Sequence, residues 1–242
     1  MNVDTDSPRP QGMPQFIDQT EEILAWLRAR NRVELKSLWK CHDKLVDLNI
    51  ERLNAMDLRK NLTPAVLSYE GLAFQYMAPA VFEYGQFDYI QERLRILSAF
   101  YGVLKPMDGV TPYRLEMQAK ASISGNKDLY DLWGDRIYKA VRDESGVIVN
   151  LASKEYSKCI EKYLAPEDTY VTCVFGECAS GKIVTKGTYA KMARGEMVRY
   201  MAEHKTQDVR ELKKFDRLNF SYRDDLSSES EFVFERKPQI KQ

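Results

Sequence analysis

Three cationic side chains and one glycine share a face of a predicted helix late in the chain. The run Gly187–Tyr200 has helical spacing at about 100° per residue. Its Lys191, Arg194 and Arg199 fall within an arc of about 140°. Gly195 projects into the middle of this arc and leaves backbone uncovered, so that a bulky anion such as a phosphate could approach closely. The spacing indicates either an anion-binding surface or a solvated face with a tolerated glycine.

The positive charge is concentrated, although the chain as a whole is neutral. Lys plus Arg and Asp plus Glu number 36 each in 242 residues, so the total charge favours neither a nucleic-acid-binding protein nor an acidic one. Residues 182–199 nevertheless carry five cations against Glu196 alone, and residues 224–235 carry acidic charges only. Any electrostatic function must come from this uneven distribution.

A second set of polar and aromatic residues lies at or near the ends of predicted elements. These residues are Tyr113, Trp133, Asp135, Asn150, Ser153 and Lys154. If they converge, a pocket for a nucleotide or a phosphorylated metabolite is expected. The alternative is that Tyr113 and Trp133 are core residues with locally satisfied polar atoms, and that Asn150 and Ser153 only cap the elements beside them.

The composition gives little support to nucleophilic or metal chemistry. His42 and His204 stand in charged stretches typical of exposed helices, which argues against a Ser-His-Asp or Cys-His arrangement. Cys173 and Cys178 lie close together, but no second Cys/His pair follows them. No apolar run is long enough for a transmembrane helix. We therefore expect reduced thiols, a cytoplasmic location, no metal, no cofactor and no catalytic residue.

The periodicity of apolar residues predicts a mixture of helices and strands. Helices are predicted over residues 15–30, 33–59 (in two pieces), 71–77, 88–100, 128–141, 154–163, 187–204 and 209–215. Strands are predicted over 65–69, 112–117, 147–152, 170–177, 182–185, 220–223 and 231–235, with a turn at Ser180–Gly181. Because helices and strands do not alternate strictly, the sequence indicates one α+β domain over residues 1–242, with a mixed β-sheet flanked by helices.

Five segments together resemble one known family. They are Leu94–Asp108 (LRILSAFYGVLKPMD), Pro112–Met117 (PYRLEM), Lys127–Asp135 (KDLYDLWGD), Val149–Tyr156 (VNLASKEY) and Tyr189–Gly195 (YAKMARG). In order and spacing they are similar to the bacterial YaaA family. The resemblance implies a cytoplasmic DNA-binding protein of the peroxide stress response that limits damage linked to free iron. It also implies an α+β fold of its own with a positively charged cleft and a helix-hairpin-helix-like element, and no established reaction.

The resemblance also directs where DNA would bind. Cations expected to contact phosphates are Lys105, Arg114, Lys186, Lys191, Arg194 and Arg199, while Gly102 and Gly195 would allow close backbone approach. The nearest match to the hairpin turn is Ser98–Gly102, which contains one glycine. Binding of double-stranded or structured DNA with little sequence specificity, by a monomer, is expected because no recognition helix for base edges is evident.

Two further expectations remain open beside DNA binding. The first is an enzyme or binding protein for a nucleotide or phosphorylated small molecule, and the second is direct iron binding by cysteines or by the acidic residues 224–235.

Members of the family usually have a short apolar strand and a Ser-Pro-Ala-Lys segment ahead of the position of Met1. A strand and a lysine are therefore expected to be missing from the sheet.

Overall fold

The computed structural model describes Met1 and residues 8–179 and 181–237. The α-helices are α1 (Ile17–Arg28), α2 (Arg32–Trp39), α3 (Asp43–Ala55), α4 (Ala65–Ser68), α5 (Leu72–Met77), α6 (Tyr84–Arg93), α7 (Leu129–Trp133), α8 (Arg136–Val141), α9 (Lys154–Glu161) and α10 (Gly187–His204). The strands are β1 (Thr63–Pro64), β2 (Ile96–Ser98), β3 (Gly102–Leu104), β4 (Gly109–Val110), β5 (Val147–Asn150), β6 (Thr169–Ala179), β7 (Lys182–Val184), β8 (Phe220–Tyr222) and β9 (Glu231–Arg236). Short 3-10 helices cover Pro79–Val81, Val209–Lys214, Arg217–Asn219 and Asp224–Leu226.

The chain divides into two compact units. The first comprises Met1–Tyr69, Arg95–Val141 and Ser153–Leu164, and the second comprises Glu70–Leu94, Arg142–Ala152 and Ala165–Gln242. No helix within the described ranges 8–179 and 181–237 combines the length and apolar character that a membrane span needs.

Helices α1, α2 and α3 begin the first unit, where the helical periodicity of residues 15–59 predicts them. Asn31 starts α2 with a capping box, because its side chain accepts hydrogen bonds from Val33 and Glu34 while the Glu34 carboxylate accepts one from the Asn31 N–H. Apolar residues such as Ile23 and Leu27 on α1 are buried. Each of these helices follows from a local apolar stripe, and α2 also from its capping box.

A β-hairpin occupies the segment for which the sequence predicts a helix to residue 100 and a helix-hairpin-helix-like turn. Strands β2 and β3 pair in antiparallel register from Ile96↔Leu104 to Ser98↔Gly102. The Ser98 hydroxyl accepts hydrogen bonds from the backbone N–H groups of Phe100 and Tyr101, and Gly102 has φ of +73°. A left-handed glycine closing a three-residue loop is typical of a hairpin, so both predictions are wrong here.

Three other predictions about the first unit are also corrected. Residues 65–69 form the short helix α4 after Pro64 rather than a strand, because an apolar run this short has no decisive period. Residues 112–117 form no strand. The helix predicted over 128–141 is broken into α7 and α8 at Gly134, whose φ is +51°.

The second unit is built on a mixed sheet in the order β5-β6-β9-β8. Strands β5 and β9 run parallel to β6 on its two sides, with Val149 opposite Val171 and Val174 opposite Val233. Strand β8 is antiparallel to β9, and β7 pairs antiparallel with the end of β6. The predicted hairpin over 170–185 is confirmed, while Ser180 of its expected turn lies outside the described residues. The α+β class with a mixed sheet flanked by helices is confirmed.

Helix α10 packs on one face of this sheet. Alternate residues of β6 are buried towards it, namely Val171, Cys173 and Phe175. The core is rich in aromatic rings: Phe234 is stacked on Phe175 with a centroid distance of 5.1 Å and meets Phe215 edge to face at 5.7 Å. Aromatic contacts of this kind add to the burial of apolar area. The sheet and its aromatic core therefore fix the position of α10.

Candidate nucleic-acid interface

Helix α10 has the predicted bounds and the predicted apolar stripe. Ala190, Ala193, Met197 and Tyr200 are buried in the core of the second unit. Tyr189, which the sequence assigns to the same stripe, is 37% exposed. Its ring contacts the Arg236 guanidinium, which lies 3.8 Å from the ring centroid. The helical period thus predicts the buried face correctly except at the first turn.

Gly195 is a packing residue rather than an uncovered stretch of backbone. It is buried, and a Cβ atom at this position would overlap the carbonyl oxygen of Ala73 and lie 2.9 Å from the Met77 nitrogen. Both of those residues belong to the segment of α5, so glycine is required for α10 and α5 to approach this closely. The predicted close approach of a phosphate to Gly195 is corrected, because the backbone of α5 occupies that space.

Arg194 is half-buried beside strand β6 and is not part of an exposed basic face. Its Nε atom is buried without a hydrogen-bond partner. Burial lowers the pKa of its guanidinium, and burial also raises the pKa of the neighbouring Cys173 thiol to about 12. A charge with this little access to solvent is a poor contact for a large polyanion.

Arg199 is neutralised by a carboxylate on its own helix. Its Nε donates to Glu203 at 2.7 Å, an i,i+4 ion pair. Glu203 also pairs with Arg217, which contacts Glu196 at 3.3 Å. These charges form a local network of alternating sign, so Arg199 adds little net positive potential to the surface.

The start of α10 is exposed, and the basic residue Lys186 directly precedes its first turn. Lys186 occupies the N-cap position without a side-chain hydrogen bond to the helix, and the first turn contains no acidic residue. Residues 184–189 are all exposed, as are Lys182 and Lys191. The exposed Lys186 lies 3.9 Å from the half-buried carboxylate of Glu177, which is a long contact, and Glu177 also accepts a hydrogen bond from Arg236 at 2.9 Å. The leading N–H groups of a helix have no intrahelical acceptor, so they are open to an anion here.

The predicted DNA-contacting residues of the first unit differ in exposure. A Cβ on Gly102 would lie 2.8 Å from the Trp133 ring, so this glycine serves packing and the hairpin turn. Arg114 donates to the carbonyl oxygen of Trp39 at 3.3 Å and contacts Glu116 at 3.3 Å. Lys105 is exposed, beside the buried carboxylate of Asp108. Only Lys105 remains as an exposed cation among these three predicted residues.

Of the two aromatic residues of the predicted small-ligand pocket, Trp133 lies in the interior of the first unit and Tyr113 is half-buried. Trp133 is fully buried and its indole N–H donates to the Ala99 carbonyl at 3.0 Å. The Tyr113 hydroxyl lies 2.7 Å from those of Tyr69 and Ser98, two partners that no sequence pattern indicates. For these aromatic residues the structure matches the alternative interpretation of locally satisfied core side chains.

The polar residues of the same predicted pocket also have local partners. Asp135 bonds Lys139 at 2.6 Å, and this hydrogen bond lowers the pKa of the carboxyl group. Lys154 pairs with Glu161 at 2.7 Å. Asn150 accepts from the Ala152 N–H at 2.9 Å, as a turn-forming side chain. Ser153 is the N-cap residue of α9 without a side-chain bond.

Two carboxylates of the acidic segment 224–235 are paired with one arginine. Arg223, just before the acidic segment, pairs with Asp225 and Glu235. Within the parts of the chain that the structure describes, no three His, Cys, Asp or Glu residues are grouped so that they could hold a metal ion.

Burial divides three of the cysteines into two classes of reactivity. Burial raises the pKa of the Cys159 and Cys173 thiols to about 12, whereas Cys178 is exposed. We expect iodoacetamide at about pH 8 to alkylate Cys178 in the folded protein and to reach Cys159 and Cys173 only after denaturation. Peptide mass spectrometry measures this directly. Rapid labelling of Cys173 in the folded protein would contradict the packing of α10 on β6.

Comparison with known proteins identifies the family. A family model described as peroxide stress protein YaaA matches residues 1–226. A UPF0246 protein of Agathobacter rectalis is 62% identical over 237 residues, covering 98% of this chain and 95% of that protein. A UPF0246 protein of Lachnoclostridium phytofermentans is 58% identical over 223 residues, covering 92% of this chain and 88% of that protein. The chain therefore belongs to the peroxide stress protein YaaA family, and this membership supports a stress-related role.

Proposed function

We propose that the protein binds the phosphate backbone of DNA through the first turn of α10, with little sequence selectivity, as part of the response to peroxide. The observation that carries the proposal is an exposed helix start without a side-chain cap, at which Lys186 is the N-cap residue and near which, along the chain, Lys182 and Lys191 are also exposed. Backbone N–H groups and lysine side chains donate hydrogen bonds to phosphate oxygens, and these contacts do not distinguish one base from another. This surface replaces the broader set of cations expected from the sequence.

The arrangement favours a phosphate for two independent electrostatic reasons. The positive end of the α10 dipole adds a favourable interaction with an anion, on the order of 0.3–1 kcal/mol in an exposed position. Each lysine that contacts a phosphate also releases condensed counterions from DNA, which makes the affinity fall with salt. The small-molecule alternative has no comparable observation in its favour, because the described partners of its predicted residues are local.

Removing the three lysines should weaken DNA binding and reduce its salt dependence together. For the combined change Lys182→Ala, Lys186→Ala and Lys191→Ala, we expect the slope of log K against log[salt] to become shallower by about 2–3. Fluorescence anisotropy with a short labelled duplex, between about 50 and 200 mM NaCl, gives this slope. A duplex of scrambled sequence should bind equally well.

The matched control carries the same loss of charge elsewhere. Lys44, Lys120 and Lys158 are exposed, and their combined replacement by alanine should leave the slope unchanged.

A second variant, Thr188→Glu, separates an effect on DNA binding from an effect on folding. A carboxylate in the first turn should stabilise α10 through its dipole while it repels phosphate. The proposal would be overturned if the affinity of the unmodified protein for DNA did not change with salt. It would also be overturned if the control variant lost as much of the salt dependence as the variant of Lys182, Lys186 and Lys191.

A further inference from the structure

Tyr189 presents an exposed aromatic ring at the start of α10. The apolar stripe of the helix predicts that this residue is buried, yet 37% of it is exposed. Gly187 and Thr188, which precede it, are exposed as well, and no atom lies within 4 Å of a Cβ built at Gly187. A large ring at an open helix start is therefore accessible to a ligand that also contacts the backbone there.

Arg236 covers one face of the Tyr189 ring and fixes its position. The guanidinium carbon lies 3.8 Å from the ring centroid, a favourable contact between a cation and an aromatic face. The same guanidinium donates to the Glu177 carboxylate at 2.9 Å, and the Arg236 side chain is only 16% exposed. The face of the ring away from Arg236 is the one left for a ligand.

The surroundings of this ring are positively charged. The Glu177 carboxylate that holds Arg236 also lies 3.9 Å from the Lys186 ammonium, so these two cations share one carboxylate beside Tyr189. Residues 182–191 contain three lysines and no acidic residue. Proteins that bind single-stranded nucleic acids combine the same two elements, because bases stack on aromatic rings while phosphates contact cations.

We propose that an unpaired DNA base stacks on Tyr189 while an adjoining phosphate contacts Lys186. This inference rests on the proposed binding of DNA at the start of α10 and names the form of DNA that the surface prefers. Inside a duplex both faces of a base are covered by its neighbours, so only an unpaired nucleotide can use the ring. Every base has an aromatic face, and the stacking therefore keeps the sequence selectivity low.

The test compares two labelled single strands of equal length and equal charge. One is oligothymidylate, and the other carries an abasic site at every position, so that only the bases differ. In fluorescence anisotropy at one fixed salt concentration, the unmodified protein should bind the thymidine strand about 5- to 150-fold more tightly. Tyr189→Ala should reduce this preference to about onefold. Tyr189→Phe, which retains the ring, should keep it.

Three further variants separate stacking from folding and from charge. Tyr189→Leu keeps apolar bulk against Arg236 and should lose the preference even if the alanine variant folds poorly. Tyr84→Ala removes another ring of the second unit, 93% exposed, and should keep the preference. The combined alanine variant of the three lysines should bind both strands more weakly and with the preference unchanged.

The outcomes distinguish this inference from the proposed function. Equal binding of the two strands by the unmodified protein would overturn the stacking on Tyr189, and so would an unchanged preference in both Tyr189→Ala and Tyr189→Leu. Duplex binding that weakens with salt would in either case leave the proposed function in place. A protein that binds neither the single strands nor the duplex would contradict both.

Discussion

Replacing Gly195 by alanine should destabilise the protein by about 3 kcal/mol or more, although alanine is the better helix former. The added methyl group would overlap the Ala73 carbonyl oxygen, which belongs to a backbone that cannot move without disturbing α5. The gain in helix propensity, about 1 kcal/mol, is too small to offset this overlap. Urea denaturation followed by circular dichroism measures the difference in the free energy of unfolding.

Gly187→Ala is the matched control in the same helix. No atom lies within 4 Å of a Cβ built at Gly187, so only the propensity gain applies. We expect this variant to be equal to or slightly more stable than the unmodified protein, by less than about 1 kcal/mol. Equal stability of Gly195→Ala and Gly187→Ala would show that the spacing between α10 and α5 is not as close as described.

Truncating Phe234 to alanine should lower the free energy of unfolding by about 3–5 kcal/mol, because it removes a fully buried ring and leaves a cavity. The ring contacts Phe175 and Phe215, and it also lies 5.8 Å from the Tyr222 ring. Thermal or urea unfolding of the variant and the unmodified protein measures this loss of stability. Tyr84→Ala is the comparison, since Tyr84 is 93% exposed and its truncation should change stability by less than about 0.5 kcal/mol. A cost below about 1 kcal/mol for Phe234→Ala would contradict a tightly packed aromatic core.

The sequence predicts α10 well and predicts the role of its glycine badly, for one physical reason. The bounds and apolar face of a helix follow from a local period, which any single sequence displays. A glycine inside a helix indicates either that a neighbour approaches the backbone closely or that the glycine is merely tolerated. Whether that neighbour is a ligand or another helix depends on Ala73, far away in the chain. No local pattern carries this information.

The segment from Leu94 to Leu104 shows the same limit in secondary structure. Its apolar residues fit a helical stripe, but Gly102 in the left-handed region and the Ser98 side chain favour a hairpin loop. The same limit applies to predicting which basic side chains near α10 are exposed and which are paired. Arg199 has helical spacing that predicts exposure, yet the network it joins includes Arg217, which lies outside α10. The exposure of Lys186 and Lys191 and the i,i+4 pairing of Arg199 with Glu203 could be predicted from local spacing. The extension of this network to Arg217 could not.

The long separation along the chain between β6 and its partner β9 affects the protein during its synthesis. One of its edges pairs with β9, so that Thr172 lies opposite Glu231, far along the chain. On the ribosome, β6 is complete well before its partner exists, and that edge stays open in the meantime. Open strand edges invite pairing between molecules, and contacts between distant residues slow folding. The nascent protein is therefore most prone to aggregate in the interval before residues 231–236 are added.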